Sequence, residues 1–161
     1  MTMLRRCLAY LDANGVHYSH SIHPAAYTAR EVADAEQMPA HNLAKVVVYY
    51  GDNGFGMAVL PADYFLDLDE LGRLLGLSQI RLATEPELGT LFPSSELGAM
   101  PPFGNLFDIP VFVDSNIAAQ PFIAFNAGTH RDVIHMRFDD FRDLVNPLVG
   151  SFALPAEMNA I

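Results

Sequence analysis

The sequence predicts an α+β chain, α/β-like in the order of its elements, built on a mixed β-sheet of about six or seven strands flanked by helices. Three observations carry that expectation. Apolar residues make up 51% of the chain and charged residues 17%, which is the balance of a molecule with a packed core. Residues 44–61 read as an antiparallel hairpin: a Val-rich run, Ala44 to Tyr50, a Gly51-Asp-Asn-Gly54 turn, and a return from Phe55 to Pro61. Around that hairpin, segments of helical period interleave with segments of period two, so helices and strands are not segregated. A length of 161 residues suits one domain over 1–161, with a core at about 15–145.

The elements follow in order. Leu4, Cys7, Leu8 and Leu11 lie on one face of a helix over 3–13, which Asn14-Gly15 ends. Val16 to Ile22 alternates as a strand up to His23-Pro24. Thr28-Ala-Arg-Glu31 is a capping box that opens a helix running to about Gln37, before Pro39. After the hairpin, Asp67 to Leu75 predicts a short helix ended by Gly76, and Gln79 to Leu82 a short strand. Thr84-Glu-Pro-Glu87 caps another helix with proline in its first turn. Residues 93–108 are a loop rich in Gly, Pro and Ser. Ile109 to Val113 and Phe122 to Phe125 read as strands joined by a turn, followed by a strand over Val133 to Met136 and a helix over Phe138 to Val145. From Asn146 onward no period is legible, and that tail is expected to pack loosely or to mediate association.

Composition narrows the function classes. A single cysteine, Cys7, forms no internal disulfide, fits a reducing compartment, and falls on the apolar face of the first helix as a core thiol. The formal charge of −10 argues against broad nucleic-acid binding, so any such contact is local or aided by a partner. No apolar run reaches the roughly 20 residues of a membrane span, and the first helix is not a signal peptide, so a cytoplasmic setting is expected. The cations are lopsided: eight arginines against one lysine, Lys45. A lysine retained alone suits a task that needs a compact, pKa-shiftable point charge; a solvated lysine at a strand end is the plainer reading.

Phosphate-loop patterns and the GxSxG elbow are absent, and Cys7 has no neighbouring base. His17, His20 and His23 are spaced by three, which on a strand splits them between faces, and no HExxH or cysteine partner accompanies them; no metal or other cofactor is expected. The loop Gly98-Ala-Met-Pro-Pro102 has the composition of a rigid ribbon able to offer backbone N–H groups to a carbonyl oxygen, or of an ordinary turn. Asn126-Ala-Gly-Thr-His130 sits between two strands, where it either lines the mouth of the sheet or simply closes a hairpin.

Taken in order, these pieces resemble the YbaK/prolyl-tRNA-synthetase-associated domain family of aminoacyl-tRNA deacylases. The matching features are His23-Pro24 with Thr28 opening a helix, Lys45-Val-Val-Val, Val59-Leu-Pro-Ala-Asp63, Arg81-Leu-Ala-Thr-Glu85, Gly98-x-x-x-Pro102 and Asn126 to His130, over roughly residues 15–145. The resemblance implies a bifurcated mixed sheet and hydrolysis of the ester joining a wrong amino acid to tRNA, often tRNA for proline, without a cofactor. It implies that Lys45 is needed for activity, that the Gly98–Pro102 loop lines the pocket, and that His130 occupies a position where some members carry a functional histidine. It also implies a partner, the acceptor end of aminoacyl-tRNA, and for some members a neighbouring synthetase; oligomeric state is open. On this reading Lys45, Gly98 and His130 are the expected catalytic set. Ala99, Met100, Pro102, Asn126, Gly128 and Thr129 are expected to contact substrate, and Tyr18, His23, Tyr27 and Thr28 to screen the amino acid by size. A non-catalytic module that senses a small ligand or an aminoacyl adenosine is the alternative.

Overall fold

The structure is a computed structural model and describes residues 1–155. Helix α1 (Met3–Ala13) starts at Thr2, whose side chain accepts from the Arg5 N–H, and buries Met3, Cys7 and Leu11. Their spacing of four places them on one face. Burial pushes the Cys7 thiol up to about 12, which keeps it protonated and unreactive. Strand β1 (Tyr18–Ile22) follows, then helix α2 (Ala29–Ala35) with the Thr28/Glu31 capping box formed in both directions. Strands β2 (Ala44–Gly51) and β3 (Gly54–Pro61) are the long hairpin, paired in register from Ala44–Pro61 to Gly51–Gly54.

Next come β4 (Tyr64–Leu66), α3 (Leu68–Leu75), β5 (Ile80–Leu82) and α4 (Glu85–Leu91). Gly76 ends α3 at φ 69, the left-handed conformation its position requires. The chain then passes a 3-10 turn at Gly104–Phe107 into β6 (Val111–Asp114), α5 (Ser115–Ala118), β7 (Phe122–Asn126), β8 (Asp132–Arg137), α6 (Phe138–Val145), β9 (Leu148–Gly150) and β10 (Ala153–Pro155).

A five-stranded sheet has the order β5-β2-β3-β6-β9, a three-stranded sheet the order β1-β8-β7, and β10 pairs with β4. The five-stranded sheet is mixed: β3–β6 and β6–β9 are parallel, β2–β3 and β2–β5 antiparallel. The two larger sheets meet next to the start of β2, where Leu43 bridges Ala124 in parallel sense. That fork is the bifurcation the resemblance implies. One cluster, containing Met3, Val48, Met57, Phe103, Phe125 and Phe141, fills the space between the sheets and the helices. A second, with Tyr49, Leu60, Leu71, Phe112 and Phe152, packs the other face of the hairpin.

Two expectations need correcting. The segments at 109–113 and 122–125 are strands, but a turn does not join them: they lie in different sheets. Asp114 is the reason. Its carboxylate accepts from the Asn116 N–H and folds Ser115–Ala118 into a helical turn that carries the chain across the fork. The tail from Asn146 is also not structureless, since β9 and β10 lie within it; strands of three residues are too short to show a period. Residues 156–161 lie outside the described residues. With β4, these short strands bring the total to ten among the described residues, beyond the longer ones read from sequence.

Asp114 is completely buried, and its two oxygens accept from four donors: Asn116 N and Nδ2, Phe152 N and Ala153 N. It therefore ties β10 to the middle of the chain. Asp114→Ala strands three backbone N–H groups and should cost about 3 kcal/mol in urea denaturation. A loss below roughly 0.5 kcal/mol, the scale of an ordinary surface substitution, would show that the carboxylate is not the anchor.

Candidate functional site

Strand alternation decides where Lys45 points. Ala44 and Val48 belong to the main core, whereas Val47 and Tyr49 pack with the cluster on the other side of β2; Lys45 shares their parity. Its Nζ donates to Ala62 O at 3.4 Å and lies over the Phe65 ring at 5.6 Å from the centroid. Burial pushes the ammonium below the ordinary lysine value of 10.5, and the Asp63 carboxylate partly offsets that. The amine is thus half-buried, a compact cation partly stripped of water. Asp63 Oδ1 is buried without a hydrogen-bond donor, 3.6 Å from His41 Nδ1.

The second group of residues gathers around the turn between β7 and β8. Glu96 to Ala99 form a β-turn closed by Ala99 N–H donating to Glu96 O at 3.0 Å, with Gly98 at φ 84. A positive φ at the third position is the mark of a type II turn. Gly128, itself at φ 93, clamps this turn from both ends: its N–H donates to Ala99 O and its carbonyl accepts from Glu96 N–H, each at 2.8 Å. A Cβ on Gly128 would come within 2.6 Å of Met3 Cβ, so only glycine lets α1 pack here.

His130 completes the clamp. Its N–H donates to Glu96 Oε1 at 2.9 Å, and its ring Nε2–H donates to Leu97 O at 2.8 Å. Because a trans peptide points its C=O and N–H in opposite directions, the Gly98 N–H faces away from His130. Gly98 is exposed, and among the described residues neither its N–H nor that of Met100 donates to a backbone or side-chain acceptor. Tyr27, 71% exposed, packs on the His130 ring at 4.9 Å between centroids. His23 N–H and Ala26 N–H donate to Arg131 O and His130 O, which draws residues 23–28 to the same turn.

The structure therefore gathers Gly98, Ala99, Gly128, His130 and Tyr27, and it revises several expected roles. The Ala99 N–H is spent in closing the turn and is not a free donor. Met100 and Pro102 are buried, Met100 in the main core, so neither side chain faces a substrate. Tyr18 lies at the far end of β1 from His23, and its hydroxyl donates to Asp12 at 2.8 Å; four residues of strand separate it from the group by roughly 13 Å. Thr28 is the cap of α2. The Thr129 hydroxyl donates to Asp132 and accepts from the Arg131 and Asp132 N–H groups, so it shapes the turn. The His23 ring is only 3% exposed, donates through Nδ1 to Pro24 O, and sets Nε2 4.0 Å from Glu36 Oε2. It therefore supports the wall rather than forming the surface. Asn126 Oδ1 is buried without a donor at the end of β7.

No hydrogen bond joins Lys45 to residues 98–102 among the described residues. They are connected through packing: Ala44 shares the core with Met100, and Ala62 packs with Ala26 ahead of α2 and with Ala124 and Val133 on the strands that carry the turn. Sequence reasoning missed Asp132, which also accepts from His20 at 2.6 Å, although the Thr129-x-x-Asp132 spacing of a side-chain-closed turn could have indicated it. Glu96 and Phe65 were also missed, and no local pattern singles them out; Asp63 stood only at the end of the Val59–Asp63 segment, with no role assigned to it. Among the described residues, no three His, Cys, Asp or Glu side chains converge to hold a metal ion, and no helix is long and apolar enough to cross a membrane.

Known proteins resemble this chain in sequence and in fold. The profile of a family described as the aminoacyl-tRNA editing domain matches residues 23–144. A stretch of 65 residues is 32% identical to the proline–tRNA ligase of Fervidobacterium nodosum, covering 40% of this chain but only 11% of that enzyme. A solved structure described as a candidate trans-editing enzyme for prolyl tRNA synthetase is similar with a TM-score of 0.83 at 25% identity, covering 94% of this chain and 97% of the other. A protein described only as hypothetical shares the fold at a TM-score of 0.82 and 18% identity, over 91% of this chain and 98% of its own.

Lys45 is the only lysine, so a lysine side-chain label gives a single NMR resonance to follow. Its titration midpoint should fall below 10.5, and Asp63→Asn should lower it further by removing the favourable charge. A midpoint at or above the ordinary value would mean that the amine is not desolvated.

Proposed function

Because the chain belongs to the aminoacyl-tRNA editing domain family, we propose that it acts in trans as a deacylase. It hydrolyses the ester that joins a wrong, small amino acid to tRNA, with tRNA for proline or a related tRNA as the carrier. The observation that carries this reading is the state of Lys45: a lone lysine at the fork of the sheets, half-buried and pushed toward lower pKa by that burial. The likenesses to a proline–tRNA ligase and to a candidate trans-editing enzyme support the choice of tRNA. A single deacylase domain over residues 1–161, with a synthetase as an occasional partner, is part of the same proposal.

In this mechanism Lys45 meets the terminal phosphate or the ester carbonyl as a point charge. A partly desolvated ammonium makes a stronger electrostatic contact than one in bulk water. A water molecule attacks the carbonyl carbon, and negative charge builds on its oxygen. The Gly98 and Met100 N–H groups, without protein acceptors, are the donors suited to that oxygen. His130 is a positioning residue: by holding Leu97 O it fixes the Leu97–Gly98 peptide and turns the Gly98 N–H outward. The attacking water gives up one proton as the new C–O bond forms, the C–O bond to the ribose breaks, and the ribose oxygen takes up one proton, which balances the step. Tyr27, exposed on the His130 ring, stands at the rim where the amino acid side chain would enter.

The acidic surface constrains how tRNA is held. Arg73, Arg81 and Arg142 are paired with Glu70, Glu87 and Asp139. Arg30 and Arg131 form no ion pair among the described residues, and both are exposed. Arg30 lies in the first turn of α2, and Arg131 lies in the β7–β8 turn that residues 23–28 pair with. On this reading these two meet phosphates of the acceptor stem, because they lie beside the turn that carries Gly98.

Deacylation of a panel of mischarged tRNAs tests the proposal. Lys45→Ala should lower kcat/KM by at least about 100-fold, the scale of losing one group aimed at developing charge. Gly98→Val, which strains a residue at φ 84, should do comparable damage. Unchanged hydrolysis by Lys45→Ala would remove the lysine from the mechanism. Tight binding of an aminoacyl-adenosine analogue without turnover on any charged tRNA would favour a sensor module instead.

A further inference from the structure

Strand β4 presents an aromatic ring that the fold does not use. Tyr64 and Leu66 pack inward against the cluster built on Leu71, Phe112 and Phe152. Phe65, between them, points to the opposite side and is 50% exposed. Its partner across the β4–β10 ladder is Leu154, itself 37% exposed. A single exposed apolar residue is ordinary. This one is different because the Lys45 amine lies over its ring at 5.6 Å. A half-exposed aromatic ring with a cation over one face offers its other face to a flat base and the amine to the charged phosphate that follows it.

We propose that Phe65 is a stacking platform for the terminal nucleobase of the tRNA 3′ end, with Lys45 beside it at the adjoining phosphate or ester. The inference rests on the deacylase reading above and adds the element that grips the nucleotide. It also answers the difficulty posed by a net charge of −10. A surface with so few free cations cannot hold RNA by counterion release alone, whereas base stacking supplies affinity that salt erodes little. The β4–β10 ladder holds Phe65 in place, and the Asp114 bonds to Phe152 and Ala153 hold β10. The platform is therefore anchored to a buried carboxylate.

The chain has no tryptophan, so Phe65→Trp introduces a single tryptophan, whose emission is distinguished from that of the six tyrosines, at the proposed contact. The trinucleotide CCA should quench it at low and at moderate salt, and the same oligonucleotide with an abasic 3′ residue should not. Absence of quenching, or equal quenching by the abasic probe, would overturn the platform. In steady-state deacylation, Phe65→Ala should raise KM about tenfold with kcat within about twofold, and Phe65→Tyr should restore KM. A fall in kcat at unchanged KM would also overturn it. If the native protein deacylates no charged tRNA, the editing reading fails, and the fluorescence result still decides whether a base stacks on residue 65.

Discussion

The Gly128 N–H donates to Ala99 O and the Gly128 carbonyl accepts from Glu96 N–H, so one glycine holds both ends of the turn that carries Gly98. Everything at this end of the molecule depends on that clamp. It works only without a side chain, because α1 packs against the Gly128 Cα through Met3. The His130 ring adds a third bond to the same turn, and residues 23–28 attach to the carbonyls of His130 and Arg131. Gly98 alone would let this loop sample many conformations; here the prolines that follow it, the first helix, the β7–β8 turn and the approach to α2 hold it in one. Preorganised donors are worth more than mobile ones because they need no reordering as charge develops.

Lys45 depends on a different constraint. The fork at Leu43–Ala124 parts the two sheets and leaves the first residues of β2 paired on the β3 side. The lysine lies at this point, with the Ala62 carbonyl and the Phe65 ring taking the place of water around its amine. Burial lowers its pKa and Asp63 raises it, and the balance leaves a cation that is costly to keep unpaired. An arginine would be harder to fit and would not shift in the same way. The same residues link the site to the second core, since Tyr64 and Leu66 on either side of Phe65 pack on Phe152.

Much of the fold was legible in the sequence because its signals are local. The hairpin carries its own turn, the Thr28 and Thr84 boxes cap α2 and α4 as their spacing says, and Gly76 ends α3. The crossing at Asp114 was not legible: its meaning depends on Phe152 and Ala153, 38 and 39 residues away, which no window around Asp114 contains. The site divides in the same way. Gly98, Gly128 and His130 could be singled out as loop residues, but that Gly98 sits in a type II turn with the Ala99 N–H already used needs the backbone. His23 and Thr28 stand out in sequence for the same features that make them structural: one is buried against Glu36, the other is a cap. Tyr18 was misplaced because a strand of five residues carries its two ends to different parts of the surface.

The central claim is that Lys45 and the Glu96–Met100 turn serve one ligand although no hydrogen bond links them. The direct measurement is an NMR titration with an adenosine analogue whose 3′ ester is replaced by an amide, following the Lys45 side-chain signal and the Gly98 and Met100 amide signals together. The account predicts that all three move along a single binding curve. Movement of the two amides with a stationary lysine signal, or separate curves for lysine and loop, would contradict it.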